Sequence, residues 1–177
     1  MIYFNNLRLR GIDREDIPLF LRWFNDPEVI KGISMYLPMS RAGEEQWFDE
    51  MLKRPKDEQP LMVEIKEQDG WVPIGTCGFF SINWRIRSAE IGIAIGEKSY
   101  WDKGHGTNVM RLLLKHGFGT LNLNRISLQV YEDNPRAIRA YEKAGFVQEG
   151  VLRQGAYMNG QYKDVIIMSV LRIEWKG

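Results

Sequence analysis

The segment YWDKGHGTNVMRLLLKHGF, Tyr100 to Phe118, sets Gly104 and Gly106 either side of His105, follows them with Thr107, and continues with apolar residues at helical spacing. Residues of these types can hold an anion. The first N–H groups of a helix have no intrahelical partner and carry about half a positive charge, so they bind phosphate. Glycines there let the backbone approach with no Cβ in the way, and Lys103 adds a cation. Single residues exclude two familiar phosphate loops. A dinucleotide-binding G-x-G-x-x-G needs a third glycine where Val109 stands, and it follows its strand directly, whereas Gly96–Lys103 intervene here. A P-loop would end in Gly-Lys-Ser/Thr, which is absent. Spacing alone leaves an anion cradle and a tightly packed turn equally open.

Other chemistry-bearing residues are scattered. Tyr141 shares an apolar helical face with Ile138, a pattern that by itself describes a core tyrosine. Asn134 followed by Pro135 reads as a helix N-cap. Glu90 interrupts an isoleucine-rich strand, where a carboxylate by itself reads as solvated or paired. In the aperiodic loop Asn25–Ser40, Asp26 and Glu28 could meet a cationic substrate, and Met35, Tyr36, Leu37 and Met39 an apolar one; folding back onto the core is the competing reading. Cys77 sits in an apolar strand with no histidine nearby in sequence, as a buried structural thiol does. One cysteine and two histidines without ligand spacing (His105 and His116) give no expectation of a metal.

These residues need a scaffold. The 177 residues suffice for one domain, 1–177, with its own core, and 44% hydrophobic with 27% charged residues is an ordinary globular composition. A net charge of +1 gives no basic excess for nucleic acid or a membrane surface. The start, MIYFNNLRLRG, is too polar for a signal peptide and no apolar run approaches ~18 residues, so a cytoplasmic location is expected. Period and turn residues predict strands at Leu7–Ile12, in LMVEIKE, in WVPIGTCGFFSI, at Ser88–Ile95 and at Arg125–Tyr131. A pair of strands flanks Asn159-Gly160, the strongest hairpin signal in the chain. Helices are expected from Ile17, after Ser40 (Trp47, Phe48, Met51 and Leu52 on one face), over the opening segment (Met110, Leu113, Leu114 and Phe118 buried), and from Asn134. Seven strands, four helices and several hairpins describe an α+β fold on a mixed, mainly antiparallel sheet, with a parallel crossover between Ser88 and Tyr131.

The run AEIGIAIGEKSYWDKGHGT, followed by NPRAIRAYEKAGF, resembles the GCN5-related N-acetyltransferase (GNAT) superfamily. The family pattern is a central strand, then Q/R-x-x-G-x-G/A opening a helix, then N-x-x-A-x-x-x-Y-x-x-x-G-F. The second motif is matched at Asn134, Ala137, Tyr141, Gly145 and Phe146. Trp23 with NDPEV, and the hairpin MNGQYKDVIIM, look most like the RimJ/RimL branch. Two departures stand out: Trp101 occupies the usual Gln/Arg position, and Asn108 stands where RimL-like members often place Glu.

The resemblance implies acetyl transfer from acetyl-CoA to a primary amine by direct attack, with no metal. Ile93, Ala94 and Ile95 would bind the pantetheine arm and offer an N–H to the thioester oxygen. Trp101, Asp102, Lys103, Gly104, His105, Gly106 and Thr107 would wrap the pyrophosphate, and Asn134 would touch the pantetheine. Tyr141 would protonate the departing thiolate, and Glu90 would be the base, acting through water. Within the branch a protein or peptide N-terminal amine leads, with a polyamine or an amino sugar as alternatives. A non-catalytic acyl-CoA-binding module is the reading from another class. Relatives are often dimers, so a homodimer is among the expectations.

Overall fold

The computed structural model describes residues 1–33 and 35–177. Its strands are β1 (Ile2–Phe4), β2 (Leu7–Gly11), β3 (Leu61–Glu67), β4 (Gly70–Asn83), β5 (Ser88–Ile95), β6 (Arg125–Tyr131), β7 (Val147–Met158) and β8 (Gln161–Leu171). Its α-helices are α1 (Ile17–Phe24), α2 (Pro27–Ile30), α3 (Arg41–Met51), α4 (His105–Gly119) and α5 (Pro135–Ala144). The strands lie in the order β1-β2-β3-β4-β5-β6-β8-β7. The chain falls into two compact units, Met1–Phe79 with Ile93–Lys103, and Phe80–Gly92 with Gly104–Gly177. β4 and β5 contribute residues to both.

In the first unit, α1 starts where the sequence signals it. Asp13 and Asp16 form a capping box ahead of it, and Pro18 occupies its first turn, where the missing N–H costs nothing. Ile17, Phe20 and Trp23 are buried one turn apart and join Ile12, Val29, Phe48, Met51 and Met62 in one core, with Trp47 and Trp101 packed against it. α3 is capped by Ser40, whose Oγ accepts from Gly43 N–H at 3.1 Å. Its predicted face is wrong at one position: Leu52 is exposed, because the helix ends at Met51. Register places Arg8 and Glu64 opposite each other on β2 and β3. The buried Glu64 carboxylate accepts from both Arg8 and Arg10, and Arg10 also clamps Asp16 through two nitrogens.

Two elements were not anticipated. β1 pairs antiparallel with β2 through a turn at Asn5, which takes φ 52°. Three residues carry too little alternation to announce a strand. α2 is a single turn whose N-cap Asp26 accepts from Glu28 N–H at 2.9 Å, too short for a helical period to show.

In the second unit, β5 and β6 form the expected parallel pair, but only from Ser88–Arg125 to Glu90–Ser127. Beyond Ser127, β6 continues with β8 alone as far as Tyr131 and Val165. Asn159 and Gly160 both have positive φ, as a tight hairpin turn requires, and β8 returns between β6 and β7. All four predicted apolar positions of α4 are buried. α4 is tied to α5 by Thr107 Oγ1 donating to Ala140 C=O at 3.3 Å and Arg111 donating to Lys143 C=O at 2.8 Å.

Candidate active site

The first unit carries the end of β5. Gly96 N–H and Glu97 N–H both donate to Ile74 C=O, at 2.9 and 3.0 Å. The Trp101 indole N–H donates to Ile95 C=O at 2.8 Å. The residue that departs from the motif pattern is thus engaged with the strand end that the resemblance assigns to the pantetheine. After it come Asp102, exposed with φ 59°, and Lys103, exposed with its ammonium 5.5 Å from the Tyr100 ring centroid.

The loop residues are more committed than their sequence suggested. Lys98 Nζ lies 2.7 Å from Asp26 and 2.6 Å from Glu28. This ammonium holds the Asp26 carboxyl below its ordinary range, so an acceptor amine at these carboxylates would compete with Lys98. Asn25 pins Met39 at both its N–H (2.8 Å) and its C=O (3.0 Å). Met35 is half-buried and Tyr36 is exposed. Ser34, between these apolar residues and α2, lies outside the described residues.

One residue of this unit, in sequence only a member of the acidic group Glu44, Glu45, Asp49 and Glu50 that bears on a polyamine acceptor, differs from the others once folded. Glu44 on α3 is only 3% exposed. Burial pushes its carboxyl upward, and no ion pair or side-chain hydrogen bond holds it among the described residues. The signal was present: Glu44, Phe48 and Met51 are spaced i, i+4, i+7, so a carboxylate stands on the buried stripe of α3. Cys77 is buried and burial pushes its thiol strongly upward, as a structural thiol would be.

The second unit carries the residues expected to hold an anion and to donate a proton. α4 begins at Gly104, in the left-handed region at φ 82°, and no side chain caps the helix. Nothing lies within 4 Å of where a Cβ on Gly106 would stand, and its backbone is helical. Packing inside the chain gives no reason for glycine there, although glycine weakens a helix by about 1 kcal/mol relative to alanine. The Thr107 hydroxyl is spent on Ala140, which leaves only its backbone N–H for a ligand.

On α5, Asn134 Oδ1 accepts from Ala137 N–H at 3.2 Å, so its capping role is real. Tyr141 is buried, and loss of solvent pushes its phenol up to about 12. No hydrogen-bond partner for its hydroxyl is found among the described residues. Gly145, at φ 107°, ends α5 in a left-handed cap and lets Phe146 N–H return to Tyr141 C=O at 3.0 Å. The Gly-Phe of the motif is thereby explained as a helix terminator that packs Phe146 on the tyrosine. Glu90 is half-buried on β5, opposite Ser127.

The glycine-led start of α4 and the buried Tyr141 of one unit, and the clamped end of β5 in the other, are the features that the resemblance links to an acyl-CoA cosubstrate. The chain matches the acetyltransferase (GNAT) domain over residues 6–147 and belongs to that family. It is 32% identical over 178 residues to an uncharacterised N-acetyltransferase, p20, of Bacillus licheniformis, covering 99% of this chain and 98% of that one. A Bacillus subtilis protein, YdaF, named as a candidate ribosomal N-acetyltransferase, is 37% identical over 104 residues, 57% of this chain and 56% of its own. Among solved structures, spermidine N-acetyltransferase from Vibrio cholerae, in complex with CoA and spermine, superposes with a TM-score of 0.87 at 29% identity, over 97% of this chain and 98% of that one. The protein is an acetyl-CoA-dependent N-acetyltransferase, and acetyl-CoA is its cosubstrate. No helix among the described residues is long and apolar enough to cross a membrane.

Proposed function

We propose that residues 1–177 act as one GNAT domain that acetylates a primary amine of a polyamine such as spermidine or spermine. The observation that carries this reading is Glu44, a buried carboxylate with no counter-ion among the described residues. Burial raises this carboxyl by disfavouring its charged form, and a substrate with several ammonium groups would supply the missing counter-charge while another of its amines reacts. The full-length likeness to a spermidine acetyltransferase supports the same class. On sequence alone an N-terminal amine stood first. The likeness that favours it, to YdaF, spans little more than half of the chain, and the order is reversed.

In this reading the uncapped start of α4, with Gly104 and Gly106, holds the pyrophosphate, and Ile93–Ile95 lie along the pantetheine. The acceptor amine attacks the thioester carbon directly. The Tyr141 phenol then gives its proton to the departing thiolate sulfur. Burial that raises the phenol also raises a thiolate in the same dry surroundings, which keeps the two groups matched. Glu90 takes the amine proton through water. A polyamine needs that help: an amine near 10.4 is neutral about once in 2,500 at pH 7, an α-amine near 8 about one time in ten.

The test is an acceptor screen with acetyl-CoA, reading thiol release from spermidine, spermine, ribosomal-protein N-terminal peptides and amino sugars. Turnover of the polyamines well above the others is expected. Turnover confined to peptides would restore the N-terminal reading.

A further inference from the structure

We infer that Trp101 is a positioning residue for acetyl-CoA, acting on the pantetheine-binding strand end and not on the pyrophosphate. Three observations in the first unit converge on Ala94, Ile95 and Gly96. The Trp101 indole N–H donates to Ile95 C=O at 2.8 Å, while its ring packs against the core of Phe20, Trp23 and Phe48. Gly96 lies so close to the Trp23 indole that a Cβ would overlap its ring carbons, and a Cβ on Gly75 would overlap Ala94 C=O. Gly96 and Glu97 N–H groups both close on Ile74 C=O.

The strand end is therefore held from several sides, by neighbouring backbone and by the Trp23 ring. The Trp101 bond adds a directional tie from a side chain to a peptide that would face the cosubstrate. A half-buried ring packed on the α1–α3 core with its N–H on Ile95 C=O cannot at the same time turn that N–H to a phosphate. What the family does at this position with Gln or Arg, this chain does differently: the side chain orients the Ile95 peptide plane. Losing it leaves the plane free to rotate, and small misplacements of a reacting group are expensive in rate.

The inference rests on Ile93–Ile95 being the pantetheine edge, and the experiment separates the two. Trp101→Phe keeps a ring and removes the donor. Trp101→benzothienylalanine keeps the ring shape and replaces N–H with sulfur, which answers any objection that phenylalanine leaves a void. For wild type and both variants, kcat/KM for acetyl-CoA is measured together with the inhibition constant of phosphoadenosine diphosphate, the CoA fragment without the pantetheine arm. A loss of about tenfold in kcat/KM is expected in both variants, the size of one net hydrogen bond, with inhibition by the nucleotide fragment unchanged. An equal loss for the fragment would place Trp101 at the phosphates and overturn the inference, as would unchanged kcat/KM. If CoA protects the Gly104–Thr107 peptide amides of the wild type from hydrogen exchange but not those of Ile93–Ile95, the underlying assignment of the pantetheine edge fails instead.

Discussion

Phe146 N–H donates to the carbonyl of Tyr141 at 3.0 Å, and the two rings meet with centroids 6.1 Å apart. The helix cap that makes this bond also fixes where the proposed acid sits. Tyr141→Phe keeps the ring contact and removes only the hydroxyl. We expect kcat to fall by roughly a hundredfold, at the lower end for general acid catalysis, with acetyl-CoA affinity by calorimetry unchanged. Unaltered turnover would remove Tyr141 from the mechanism.

The same residue predicts a pH profile. Its phenol is raised to about 12, so the protonated, donating form persists through the range where an ordinary tyrosine ionises near 10. Rates measured from pH 8 to 10.5 should show no alkaline decline that Tyr141→Phe abolishes.

Gly106→Ala should move stability and binding in opposite directions. A methyl group there meets nothing in the chain, so the free protein should gain about 1 kcal/mol from helix propensity, read by urea denaturation. If the start of α4 holds the pyrophosphate as proposed, the same methyl would stand over its N–H groups, and the acetyl-CoA dissociation constant should rise at least tenfold. Tighter or equal binding would show that the loop is only a turn.

Gly96→Ala is expected to be damaging for a different reason. The added carbon has no room beside the Trp23 indole, and overpacking of this kind costs roughly 1–3 kcal/mol. A lowered urea midpoint with an unchanged slope would record it.

Glu149 gives the stability an acid limb. Arg125 binds its carboxylate and holds it at about 2, below the ordinary 4.5. A carboxylate lowered on folding stabilises above its unfolded value, and that contribution fades as pH falls from about 4.5 towards 2. Glu149→Gln should flatten the stability curve in that window and leave its neutral and alkaline parts parallel to wild type.

Glu44→Gln removes a buried charge without changing size. The expected result is a tenfold or greater rise in KM for spermidine, little change in KM for acetyl-CoA, and equal or greater thermal stability, since an unpaired buried carboxylate is no longer required. Because burial raises this carboxyl, its anionic form grows with pH, and wild-type KM for spermidine should fall as the group ionises.

Much of this molecule was already legible in local pattern. Periods of two and near four located the long strands and helices, and capping residues marked helix starts at Ser40 and Asn134, with Asp13 and Asp16 both available before α1. Gly104, Tyr141 and Gly145 stood out because left-handed backbone and motif spacing are local properties. Tertiary structure decided what each side chain spends its polar atoms on. Thr107 faces Ala140, Asp26 and Glu28 hold Lys98, and Trp101 turns to Ile95, because packing and register bring together groups that no spacing relates. Glu44 was written on an apolar stripe in plain view, but only a folded core shows that nothing described in the chain answers its charge.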